Sequence, residues 1–153
     1  MTGRFTNIAF AAALSLLPTA ALADGVETAA GIRTDVVSGS CAAGANCIAK
    51  FSLLSADFLI KRASCNISTS TPGQFTGVEL GYTNIDGSVW SLGRQIIDTM
   101  YSYYVDTAVH DSRYQFSSEA DYGVLKGRRP AIRLNLQYST AMTYVCVIAG
   151  LAK

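Results

Sequence analysis

The residues whose types and spacing could do chemistry in this chain of 153 residues are four cysteines, one histidine, a group of acids and a run of tyrosines. The cysteines are Cys41, Cys47, Cys65 and Cys146. An even number of cysteines behind an export-type N-terminus reads as two disulfides formed in an oxidising compartment. Three pairings are possible. Cys41 and Cys47 bracket Ala42-Ala43-Gly44-Ala45-Asn46, a small and flexible stretch able to close a tight loop. That favours Cys41–Cys47 and leaves Cys65 to join Cys146, far away in sequence. In the loop-entropy model the long ring contributes on the order of 4–5 kcal/mol and the short one about 2 kcal/mol, which makes Cys65–Cys146 the structural bond. A zinc site needs CxxC-like spacing or histidine partners, whereas these spacings are wide and His110 is the only histidine. The missing CxxC and the expected export also speak against a catalytic thiol.

Asp98, Asp106, Asp111, Glu119 and Asp121 fall in one region, with His110 beside Asp111. Two converging carboxylates could act as the acid and base of a glycoside hydrolase, or as oxygen ligands for calcium. No DxDxDG run and no GxSxG motif is present, so no catalytic or metal-binding residue is assigned. Solvation of exposed strand faces accounts for acids scattered in this way. No cofactor motif is found.

Tyr101, Tyr103 and Tyr104, with Trp90, Tyr114 and Tyr122, make the middle of the chain rich in aromatics. Exposed Tyr and Trp rings offer broad contact area with a polar tip, the chemistry of a sugar- or protein-binding platform. Strand alternation puts Tyr103 and Tyr104 on opposite faces, so one of them points away from a one-sided core. Trp90, Tyr101, Tyr103 and Tyr104 are therefore the candidate ligand-binding residues. Lys126, Arg128 and Arg129 form a short basic loop that could meet an anionic surface, with plain solvation as the competing reading. Asn66-Ile67-Ser68 matches the N-glycosylation sequon.

The elements that must position these residues follow from the remaining pattern. Arg4 precedes an apolar run over residues 8–17, Pro18 breaks it, and Ala21-Leu22-Ala23 follows. These are the n-region, h-region and A-x-A site of a secretory signal peptide spanning residues 1–23. Ten residues are too short to cross a bilayer core of ~30 Å as a helix. Removal of 23 residues leaves 130, with 11 basic against 11 acidic side chains. A balanced charge excludes the basic stripe of a nucleic-acid binder. A charged fraction of 15% is too low for a disordered chain. No later segment is long and apolar enough for a transmembrane helix.

Residues 24–46 are small and polar and read as a loosely packed N-terminal arm ending in the disulfide loop, with one edge strand around Ile32, Val36 and Val37. From residue 47 the period becomes two. Ile132, Leu134, Leu136 and Tyr138 alternate with Arg133, Asn135 and Gln137 over 131–139, and 75–83 alternates in the same way. Residues 47–54 and 58–68 are further apolar runs, and 143–151 is a continuous β-branched run that predicts a central strand. Asp86-Gly87 between apolar flanks predicts a hairpin turn. Residues 94–110 have both helical and strand spacing. Their Tyr, Thr and Val content favours two strands with a bulge or turn near Ser102.

Seven to eight short strands and no convincing helix predict an all-β fold: an antiparallel β-sandwich over 47–153, stapled by disulfides, with a small closed β-barrel as the alternative. The function expected is that of a small secreted or periplasmic binding module for a cell-surface glycan or a protein partner. The other classes are a hydrolase using Asp98, Asp106 or Asp111 with His110, and a structural or inhibitory envelope protein. An extended, unpaired N-terminal arm would instead point to strand-donating assembly. Peptide mapping without reduction is expected to recover Cys41–Cys47 and Cys65–Cys146. A Cys41–Cys65 peptide would overturn this pairing.

Overall fold

The computed structural model describes residues 25–29, 31–43, 47–69, 75–97, 101–106, 111–136 and 141–153. The expected signal peptide lies outside them. The described residues form ten strands and no helix. They are β1 (Gly25–Ala29), β2 (Ile32–Cys41), β3 (Cys47–Lys50), β4 (Phe58–Thr69), β5 (Phe75–Thr83), β6 (Trp90–Ile97), β7 (Tyr101–Asp106), β8 (Asp111–Val124), β9 (Arg129–Leu136) and β10 (Met142–Ala152). All pairings are antiparallel. A six-stranded sheet runs β1-β2-β10-β4-β8-β7 and a four-stranded sheet β3-β9-β5-β6. The chain crosses between sheets at β2–β3, β3–β4, β4–β5, β6–β7, β8–β9 and β9–β10, so neither sheet is built from consecutive strands alone.

The all-β sandwich expected from the alternation is what forms, with two strands more than the upper end of that expectation. Inward residues of both sheets meet in one core. Ile60, Ala63, Cys65, Phe116 and Ile148 come from the six-stranded sheet, and Ala49, Val78, Leu80, Ile132 and Leu134 from the four-stranded one. Each large apolar side chain buried there stabilises the fold by about 1.5–3 kcal/mol. Three register shifts interrupt the six-stranded sheet, between Ala149 and Gly150, Ile60 and Arg62, and Ser102 and Tyr104. Bulges sharpen local twist, and the sheet curls into a half-barrel. At Gly150 the backbone of β10 comes so close to β4 that a Cβ would strike the Leu59 carbonyl.

Both disulfides pair as expected. Cys41–Cys47 ties the end of β2 to the start of β3, across the two sheets. Cys65 and Cys146 are direct register partners on β4 and β10, with a Cα separation of 4.1 Å. The Asp-Gly turn also forms: Gly87 has φ 75°, Ser88 N–H donates to the Asp86 carboxylate at 2.8 Å and Val89 N–H to Asn84 Oδ1 at 3.0 Å. Strand structure holds at 94–97 and 101–106, and the bulge expected near Ser102 is the Ser102/Tyr104 shift.

One expectation is corrected. β2 is not an edge strand of a loose arm, because it lies between β1 and β10 and is paired to β10 from Ile32 to Cys41. Its polar composition conceals a buried face. Arg33 and Asp35 point inward, 8% and 1% exposed, and neutralise each other through an Arg33 Nη2–Asp35 Oδ2 contact of 3.0 Å. Asp35 also accepts from the Ser52 backbone N–H at 3.1 Å, and the Arg33 guanidinium lies 5.6 Å from the centroid of the Phe58 ring. β1 pairs with β2, so residues 25–29 are a sheet member and not a free strand.

Removing one partner of a buried ion pair leaves the other charge uncompensated, at a cost of about 3–5 kcal/mol. Asp35→Ala is therefore expected to lower unfolding stability by that amount in chemical denaturation. Replacing Arg33 and Asp35 together by Met and Leu should cost far less. Equal losses in the two variants would show that the packing at this position, and not the charge, matters.

Candidate functional site

Across the centre of the six-stranded sheet, alternation sorts side chains cleanly. Ile67 is 3% exposed and Tyr114 9% exposed, and both belong to the core. Their neighbours Asn66, Arg113 and Gln115 are exposed and Ser68 is half-buried, so these stand on the outer face. On β10, Met142 and Cys146 are buried while Thr143 is exposed and Val145 half-buried. These outward residues surround a shallow groove of about 390 Å³, which Ile67, Tyr114 and Tyr144 also line. A second hollow of about 490 Å³ adjoins it, sharing Ser68 and Thr143 and reaching Ser40, Cys41 and Ala42.

The backbone register arranges the groove in two rows. One passes from Val145 through Asn66 and Gln115 to Tyr101. The other passes from Thr143 through Ser68 and Arg113 to Tyr104. On the far side, Ser38 and Ser40 of β2 lie opposite Val145 and Thr143. The rows thus carry hydroxyl, amide and guanidinium groups, and each ends on a tyrosine of β7. Farther along the same face the side chains engage one another: Arg62 Nε donates to Ser117 Oγ at 3.1 Å and Lys61 pairs with Asp121.

Of the candidate residues read from the sequence, Tyr101, Tyr103 and Tyr104 all lie on β7, beside this groove; their side chains lie outside the described residues. Trp90 is elsewhere, on β6 of the four-stranded sheet. It is half-buried and lies against Gly81, where an added Cβ would come within 2.8 Å of the ring. The Arg133 guanidinium covers it at 5.3 Å from the ring centroid, and Arg133 Nε donates to Glu79 at 2.6 Å. The aromatic set is therefore divided between two sheets. Sequence reasoning missed Asn66, Ser68, Arg113, Gln115 and Thr143 as groove residues. All five sit at outward positions of alternating strands, a usable signal, but only the pairing of β10, β4 and β8 brings them together.

Of the acids, Asp106 and Asp111 are register partners at the β7–β8 hairpin, while their side chains, together with Asp98 and His110, lie outside the described residues. Glu119 and Asp121 are exposed on β8. All four cysteines are bonded in the two disulfides. No helix among the described residues is long and apolar enough to cross a membrane. No protein-family model and no curated protein matches the chain.

At the opposite end of the sandwich, Tyr82 and Tyr122 pack against the core from the two sheets, with the Arg128 guanidinium 5.6 Å from the centroid of the Tyr82 ring. Burial, and then the neighbouring Tyr82 hydroxyl, push the Tyr122 phenol from its ordinary value near 10 up to about 12. The unfolded chain loses this proton first as the pH rises, so the fold releases stability between pH 10 and about 12 and keeps it in full below 10. Denaturation midpoints are expected to fall across that window, less steeply for Tyr122→Phe. An identical slope in the variant would refute the assignment.

Proposed function

We propose that this protein is an extracytoplasmic binding module whose groove on the six-stranded sheet takes a carbohydrate chain. The observation that supports this most directly is the double row of polar outward residues, Asn66–Gln115 and Ser68–Arg113, each continued in register by a tyrosine. Hydroxyl and amide groups match the alternating donors and acceptors of a sugar. Tyr101 and Tyr104, next in register on β7, supply the residue type that stacks on the flat faces of sugar rings. The groove and its adjoining hollow form an open, elongated depression across four strands, a shape suited to an extended chain. Two disulfides agree with folding outside the cytoplasm, in line with the signal-peptide pattern of residues 1–23.

A glycan array probed with the oxidised protein tests the reading. Binding to a defined set of glycans is expected. Asn66→Ala and Gln115→Ala should each weaken it by about twofold to tenfold, the worth of one hydrogen bond. Lys61→Ala, farther along the same face, should leave it unchanged. A blank array would reject the carbohydrate and transfer the groove to a protein partner.

A further inference from the structure

Among the residues whose side chains are described, six large hydrophobic ones are exposed, and these lie at one end of the sandwich, the end away from the groove: Ile32, Leu53, Ile85, Val89, Leu125 and Leu151. The antiparallel register places them there. Ile32 opens β2 and lies opposite Leu151 near the end of β10, while the other four occupy the loops 51–57, 84–89 and 125–128. Leu125 and Ile85 are the most exposed, at 68% and 62%.

These loops are held to one another. Leu54 N–H donates to the Arg128 carbonyl and Gly127 N–H to the Leu54 carbonyl, both at 3.0 Å. Lys126 N–H donates to the Asp57 carboxylate at 2.8 Å, and Arg129 Nε to the Ile85 carbonyl at 2.7 Å. The aliphatic tips are therefore presented on a braced surface, and ordering them on contact costs little entropy.

Charge at this end is uneven. Lys50, Lys126, Arg128, Arg129 and Lys153 stand against Asp57 and Asp86, although the whole chain has a net charge of only +1. Both acids turn a carboxylate oxygen onto a backbone N–H, Asp57 on Lys126 and Asp86 on Ser88.

We infer that this loop end docks on an anionic phospholipid surface, with Leu125 and Ile85 entering the interface and Lys126, Arg128 and Lys50 meeting the phosphates. Separate aliphatic tips ringed by lysine and arginine are what an interfacial anchor requires. The core of a protein interface is instead enriched in aromatic residues and poor in lysine. The site is remote from the groove and independent of what the groove binds.

Co-sedimentation of the full protein with vesicles tests the inference. The protein should pellet with phosphatidylglycerol-containing vesicles, stay in solution with pure phosphatidylcholine, and be released as salt approaches about 1 M, where screening is nearly complete. Lys126→Glu and Arg128→Glu should each weaken binding by at least about fivefold. Leu125→Asp with Ile85→Asp should abolish it, with unchanged circular dichroism and melting temperature showing that the fold is intact. Three results would each overturn the inference: no pelleting with anionic vesicles, equal pelleting with neutral ones, or full binding by the Leu125/Ile85 variant. The first would turn the loop end over to a protein contact. Because Leu125 and Ile85 lie outside the groove, retained glycan binding in that variant separates failure here from failure of the carbohydrate reading.

Discussion

Cys65 and Cys146 face each other across β4 and β10, the two central strands of the six-stranded sheet, and a covalent bond there leaves the pair one register. Side chains on a strand have a period of two, so a slip of one residue would turn Ile60, Ile67, Met142 and Ile148 out of the core. The same slip would turn Asn66, Ser68 and Thr143 into it. The disulfide therefore fixes the hydrophobic layer and the polar groove in one step. Pairing on both flanks carries the constraint outward, through β8 to β7 on one side and β2 to β1 on the other.

The Arg33–Asp35 pair extends this order to the end of the sandwich. It sits on β2 beneath the 51–54 loop, and Asp35 reaches that loop through Ser52. The loop in turn exchanges backbone hydrogen bonds with Arg128 and Gly127. A buried charge pair contributes little net stability, but its directional bonds determine how a loop sits. One end of the molecule thus presents braced loops with aliphatic tips, and the outer face of the large sheet presents a polar groove. The two places share no residues.

Much of the fold was legible because burial on one face leaves a period-two imprint. β5 was read to the residue over 75–83, and β4, β9 and β10 to within three residues at either end. The apolar run in β10 announced a strand flanked on both sides, since Val145, Val147 and Ala149 are half-buried even on the outer face. β2 was misread because Arg33 and Asp35 look solvated in sequence, and their burial depends on each other and on Ser52, seventeen residues away from Asp35. The aromatic candidates were legible as residue types but not as a group. Trp90 and Tyr101 are close in sequence, yet the chain changes sheets between β6 and β7.

By itself the sequence determined the local and the covalent: the strands with a clear two-residue period, where Asp86-Gly87 turns, and which cysteines can close which loop. Those follow from side-chain alternation, backbone freedom and ring size, all short-range properties of the chain. Only the tertiary structure decided that Val145, Asn66, Gln115 and Tyr101 form one row, and that Leu53, Ile85 and Leu125 share one end. Both depend on strand order, with β10 between β2 and β4, and that order is set by packing two sheets around a single core.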